Sequence, residues 1–254
     1  MHRAGLAPTV PHENPSLPKA RRLLASAAIH PRNLNSMQKR FLAAAILLPL
    51  SATAAAQNAT GAPSYTYVQG TYTAYGHAHG VGKDYNGYGI KGSFAINPHV
   101  FVNASYDWLD VNDRNLDANR TSVGVGLDDF FDYGGDPGTG LGYYGQVSYE
   151  RLGLQDVRGH DDASGNGFGV DAGLRWMVEP RIEINPHVGY VDYGNVDGDT
   201  NLGDANGVRY GVRVRGYVTP AIALSVGYRG SNASTDRRNI GFDNEVRVGA
   251  SWNF

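Results

Sequence analysis

The chain has 254 residues, with 34 Gly, 16 Tyr, no Cys and a formal net charge of −2. The lack of Cys excludes a disulfide framework, a thiol nucleophile and thiolate metal sites. No stretch approaches the ~18 apolar residues of a spanning helix, so a membrane crossing would have to use strands, whose polar inner face dilutes the mean hydropathy.

Residues 1–36 carry Pro8, Pro11, Pro15, Pro18 and Pro31, several Arg and no apolar period, and no structure is expected there. At Met37 an export pattern begins. Lys39 and Arg40 are followed by the apolar run Phe41–Leu50 and by small residues that include Ala54 and Ala56, ahead of Gln57. The reading is an upstream extension over 1–36, from a start codon placed too early, a cleaved signal peptide over 37–56, and a mature domain over 57–254. A short buried helix is the alternative for the apolar run. Removing residues 1–56 takes away seven Lys/Arg and one Glu, leaving 15 basic and 23 acidic residues and a net charge of −8. An acidic exported chain suits nucleic acid poorly, and no such partner is expected.

From Ser64 onward, alternating segments of the ~10-residue length a tilted membrane strand needs are separated by turn residues. Strands are predicted over 64–75, 84–96, 99–111, 119–131, 141–154, 166–178, 181–194, 207–218, 221–230 and 243–254. No segment holds a helical period, which argues against an α/β enzyme. The connections alternate in length. Asn97-Pro98-His99, Glu179-Pro180 and Thr219-Pro220 mark tight turns and 132–140 a longer one. The others, over 76–83, 112–118, 155–165, 195–206 and 231–242, are rich in Asp, Asn, Gly and Ser. This predicts an all-β fold: a closed, antiparallel, up-and-down transmembrane barrel of about ten strands, with short periplasmic turns and longer outer loops. An even strand number lets the first strand close against the last.

The two faces of each strand set its orientation. In 207–218, Val208, Tyr210, Val212 and Val214 alternate with Arg209, Gly211, Arg213 and Arg215. An Arg on the lipid side at the bilayer midplane costs about 2–4 kcal/mol, so three could approach about 10 kcal/mol, the stability of a whole domain. The Arg face is therefore predicted to point inward. Ile222, Leu224 and Val226 then face outward, with Phe168, Val170, Ala172, Leu174 and Trp176, with Ile182, Ile184 and Val188, and with Tyr88, Ile90, Phe94 and Ile96. The inward set holds Lys91, Asp107, Asp128, Glu150, Asp171, Arg175, Glu183, Arg209, Arg213, Arg215, Glu245 and Arg247. Charges of both signs in a narrow lumen should pair, which predicts a plugged or very narrow interior. A small selective pore is the alternative. Tyr72, Tyr75, Tyr106, Trp108, Phe130, Phe131, Tyr143, Trp176, Tyr190, Tyr193, Tyr217, Tyr228, Trp252 and Phe254 lie near strand ends and are read as two headgroup-level girdles.

The final segment, 245–254, places Val246, Val248, Ala250, Trp252 and Phe254 on one face at period two, and Glu245, Arg247, Gly249, Ser251 and Asn253 on the other. An aromatic end with apolar residues at every second position resembles the closing-strand signal of bacterial outer-membrane β-barrels. The resemblance implies that the barrel-assembly machinery reads this strand and that periplasmic chaperones carry the unfolded chain. The mature chain as a whole resembles the small outer-membrane barrels. It is most similar to the xanthomonad barrel family once discussed in connection with quorum sensing and plant immune recognition. The resemblance is carried by the signal peptide, Ser64-Tyr-Thr-Tyr-Val-Gln-Gly70, Gly89–Pro98, Val123-Gly-Val-Gly126, Val147-Ser-Tyr-Glu150 and the aromatic end. It implies a non-enzymatic protein of the Gram-negative outer membrane, in contact with lipid and with an unidentified extracellular partner.

Three patterns could carry chemistry. His160-Asp161-Asp162 lies in a predicted outer loop, where three adjacent side chains diverge instead of converging as catalysis requires. His77 and His79 have no third metal ligand nearby. Asp197-Gly-Asp199-Thr-Asn201 has Val208 where a calcium loop needs a bidentate Glu, and reads as an Asx-rich turn. No catalytic residue, metal site or cofactor is expected. The expected function is surface interaction or envelope integrity. A narrow diffusion channel is the second reading, and a secreted ligand-binding barrel, which would need an apolar lumen, the third.

Overall fold

A computed structural model describes residues 62–80, 82–111, 116–133, 138–157, 161–237 and 241–254. The upstream extension, the signal segment with Ala54, Ala56 and Gln57, and His160 lie outside the described residues. The elements are β1 (Tyr67–His79), β2 (Lys83–Asn97), β3 (Val100–Val111), β4 (Leu116–Asp132), β5 (Gly140–Val157), β6 (Asp161–Glu179), β7 (Ile182–Gly198), β8 (Gly203–Tyr217), β9 (Ile222–Ser231), β10 (Ser234–Thr235) and β11 (Gly241–Asn253).

Neighbours pair antiparallel in chain order from β1 to β9. β9 then pairs with β11, and β11 closes on β1 from Tyr67↔Asn253 to His79↔Gly241. The two-residue β10 bridges β8 and β11 beyond the end of β9. The wall is a closed ring of ten strands, and closure leaves none of them with a free edge. Phe254 continues the seam by donating its N–H to the Thr66 carbonyl at 3.1 Å.

The outer surface is apolar along a broad band. Val208, Tyr210, Val212 and Val214 are 40–48 % exposed, while Arg215 on the opposite face is 3 % exposed. Ile222, Leu224 and Val226 on β9 and Val246, Val248 and Trp252 on β11 are likewise exposed. Aromatic residues rim this band. Tyr72 packs on Tyr88, Tyr106 on Trp108, Phe168 on Tyr190 and Tyr210 on Tyr228 at one rim. Phe131 packs on Tyr143, and Trp252 on Phe254, at the other. Both rims suit headgroup-level anchoring.

Three sequence expectations need correction. First, β1 begins at Tyr67, not at residue 64, because Pro63–Thr66 turns into the barrel mouth, where the Ser64 hydroxyl accepts the Thr66 N–H at 3.0 Å. Second, Tyr193 and Tyr217, 7 % and 5 % exposed, and the half-buried Phe130 face the interior and not the girdles. Tyr217 shares the parity of Arg215, Phe130 that of Asp128, and Tyr193 that of the buried Val191, so period two assigns all three inward. Third, the strands run far into the segments read as long loops. β5 and β6 have 18 and 19 residues, against the ~9–11 a bilayer requires. Beyond the aromatic rim the polarity of the wall inverts. Asp110, Arg151, Asn166, Asp204 and Asn206 point outward and are exposed, while Leu109, Val111, Leu152, Leu154 and Ala205 on the same strands point inward and are buried. A wall in water needs polar residues outside and apolar residues inside, so the same alternation continues with its chemistry exchanged.

Candidate functional site

The interior of the barrel is the candidate site, and it is layered along the axis. At the end of the long connections, Ala78, Tyr85, Leu109, Val111, Leu116, Leu154, Val196, Leu202 and Phe242 belong to one buried apolar cluster. Tyr85 meets Phe242 edge to face at 5.4 Å. The Tyr85 ring lies over Gly76, where a Cβ would stand 2.2 Å from the ring carbon, so glycine is required there. The inward set predicted from the sequence consists of charged residues. The distal part of the lumen is apolar instead, because it lies in the part of the wall whose polarity has inverted.

Below this layer sit two ionic clusters. In the first, Glu245 on β11 is 1 % exposed. It takes Arg120 Nη1 at 2.6 Å, accepts the Tyr85 hydroxyl at 2.8 Å, and has Arg229 Nε and Arg247 Nε at 3.8 and 3.9 Å. Asp107 on β3 holds Arg247 Nη2 at 2.6 Å, with Arg120 and Arg229 at 3.3 and 3.9 Å. In the second, Arg209 Nη2 bridges Glu150 at 2.8 Å and Asp171 at 2.5 Å. The hydroxyls of Ser148 and Ser122 donate to Glu150, and the Gln146 amide donates to Asp171. Gly169 leaves room for this bridge, since a Cβ there would stand 2.7 Å from both Arg209 and Glu150.

A third cluster closes the end of the tight turns. Arg175 forks onto Glu183 through Nε and Nη2 at 2.9 and 2.8 Å, the bidentate geometry that makes such pairs strong. Arg215 and the Tyr217 hydroxyl also donate to Glu183, at 3.2 and 2.6 Å. Arg175 Nη1 donates to the carbonyls of Pro63 and Ser64 at 3.3 and 3.0 Å, and its guanidinium lies 4.6 Å above the Tyr65 ring. Tyr65 also stacks on Phe101 at 4.6 Å. Burial pushes the Tyr65 phenol above its ordinary range, so it stays neutral. The segment ahead of β1 is thereby tied into the mouth of the barrel.

These clusters bring together nine of the side chains expected in the lumen: Asp107, Glu150, Asp171, Arg175, Glu183, Arg209, Arg215, Glu245 and Arg247. Arg213 and Lys91 line a cavity of about 180 Å³ between the clusters. Asp128 is half-buried nearer the tight turns. These last three join none of the ion pairs. Arg120, Arg229 and Tyr85 were missed by the sequence reading. Period two could have found them, because Arg120 shares a face with Ser122 and Gly124, and Arg229 with Ser225 and Gly227. Eight cations, Lys91 and Arg120, 175, 209, 213, 215, 229 and 247, thus face five buried carboxylates, Asp107, Glu150, Asp171, Glu183 and Glu245.

Elsewhere, His77 and His79 lie 3.0 and 2.9 Å from Asp84 and Asp243 respectively. Among the described residues no three metal-type side chains converge. Asn201 accepts the N–H of Gly203 in an Asx-type turn, and Asp197 accepts the N–H of its neighbour Gly198. Val246, Val248, Ala250 and Trp252 form an exposed stripe on β11.

A closed antiparallel ring of strands, oily outside and ionic within, defines the class of outer-membrane β-barrels. Residues 43–254 match the outer membrane protein beta-barrel domain family, and the chain belongs to it. No curated protein matches its sequence. Among solved structures it is similar to Neisserial surface protein A, at 17 % identity and a TM-score of 0.39 over 75 % of this chain and 98 % of that one. It is also similar to the translocator domain of the autotransporter NalP from Neisseria meningitidis, at 14 % identity and 0.40 over 86 % and 95 %. A third similarity is to the N-terminal β-barrel domain of Pseudomonas aeruginosa OprF, at 13 % identity and 0.35 over 74 % and 98 %.

Proposed function

We propose that the protein is a non-catalytic, plugged barrel of the Gram-negative outer membrane that serves envelope integrity or presents its outer end to a surface partner. The observation that carries this reading is the stacking, along one lumen, of an apolar layer, paired ionic clusters and the Pro63–Tyr65 segment. In a planar lipid bilayer the protein is expected to insert without stepwise conductance. Regular conductance steps would favour the second reading, a narrow diffusion channel, which draws support from the cavity and its surplus of cations.

The biogenesis partners follow from β11. Its outward stripe, Val246, Val248, Ala250 and Trp252, together with Phe254 just beyond the strand, is proposed as the signal read by the barrel-assembly machinery after delivery by periplasmic chaperones. The double variant Trp252→Ala, Phe254→Ala is expected to leave folding into synthetic vesicles possible while unfolded chain accumulates in the periplasm of cells. Normal assembly in cells would refute that role. Cleavage between Ala56 and Gln57 is proposed for export. The motifs from Ser64 to Phe254 support kinship with the xanthomonad barrels within the wider family.

A further inference from the structure

Among the described residues, two lumen cations, Lys91 on β2 and Arg213 on β8, have no carboxylate of their own. Lys91 acts on Asp171, but the two oxygens of that carboxylate already receive Arg209 at 2.7 and 2.5 Å and the Gln146 amide at 3.0 Å. Arg213 is buried with Arg215, Arg247 and the phenols of Tyr67 and Tyr144 around it. Both cations line the cavity of about 180 Å³, together with Tyr67, Tyr144 and Gln69. The Tyr67 phenol lies in the field of Lys91, Arg213, Arg215 and Arg175 together. Even with Asp128 counted, lumen cations outnumber carboxylates by two among the described residues. Surplus charge in a protein-walled cavity is costly unless it is neutralised.

We propose that this cavity is a binding site for a small inorganic oxyanion of the sulfate or phosphate kind, held between Arg213 and Lys91. The guanidinium supplies paired donors that match a tetrahedral oxyanion, and the ammonium supplies a point charge. The phenols of Tyr67 and Tyr144 and the Gln69 amide add neutral donors. The volume, well above the ~10–15 Å³ that one water molecule needs on the same measure, admits such an ion with part of its hydration. An anion bound there completes the charge balance of the lumen and stiffens the wall across β2 and β8. The inference does not depend on whether the lumen conducts.

The test is equilibrium dialysis of radiolabelled sulfate against the full chain folded in detergent, at constant ionic strength set with gluconate. Saturable binding of one sulfate per barrel is expected, with a matching saturable rise in unfolding temperature. Arg213→Met and Lys91→Met are each expected to weaken binding about tenfold or more, as loss of a charged hydrogen-bonding group does. Arg181→Gln, at an exposed turn position, should leave it unchanged. Direct dialysis of the folded fraction keeps the test valid if one variant folds poorly, since the other reports independently. Absence of saturable binding by the unaltered protein, or binding by both lumen variants as tight as that of the unaltered protein, would overturn the proposal.

Discussion

Replacing Glu245 by Ala is expected to cost about 3–5 kcal/mol of folded-state stability, the usual consequence of removing one partner from a buried ionic group. Glu245 is 1 % exposed and lies within 3.9 Å of three guanidiniums, those of Arg120, Arg229 and Arg247. Without it they share only Asp107, and the Tyr85 hydroxyl loses its acceptor. Against a total of about 5–15 kcal/mol for a typical domain, the loss is a large fraction. Glu245→Gln keeps the volume and removes the charge, so it should be nearly as damaging. Adding Arg120→Met to Glu245→Gln should restore part of the loss, because the two sites couple directly. Urea unfolding from lipid vesicles, followed by tryptophan emission, reads all three. An unchanged midpoint for Glu245→Gln would show that the cluster does not stabilise the barrel.

The second large effect concerns the outside of the same wall. Val226 is 52 % exposed and pairs across with Val214 and Val248, in the middle of the apolar band. Val226→Arg is expected to cost about 2–4 kcal/mol, the depth-dependent cost of a cation against hydrocarbon. Asn206→Arg, also outward but beyond the aromatic rim, should cost about 0–1 kcal/mol. The contrast between the two matters more than either value. Equal costs would mean that the apolar band does not face lipid.

Much of this architecture is legible in the sequence because a strand has only two faces. The run from Val208 to Arg215 assigns its own inside and outside, and each neighbouring strand repeats the assignment. The closing of the last strand on the first follows from the even number of strands. What period two alone could not supply was the change of solvent along a strand. Leu109 and Val111 share the face of Asp107, yet one part of that face lines an ionic lumen and the next an apolar plug. Only the position of the rim, set by aromatics on all strands at once, shows where lipid gives way to water. Tyr217 and Phe130 were placed outside by residue type when their parity placed them inside. Arg120 and Arg229 were recoverable from parity in the same way. The pairing itself, with Glu245 serving arginines from β4 and β9 as well as its own strand, depends on which strands face each other across the lumen, and no local pattern encodes that.

The most direct test of an apolar exterior around an ionic interior uses the three native Trp residues. Trp108 lies at one aromatic rim, and Trp176 and Trp252, 46 % and 49 % exposed, lie toward the other. In vesicles of brominated lipid, the expected result is strong quenching of emission, greater for bromines near the headgroups than for bromines at the chain ends. Emission indifferent to brominated lipid would contradict the account, because the face read here as lipid-facing would then be in water.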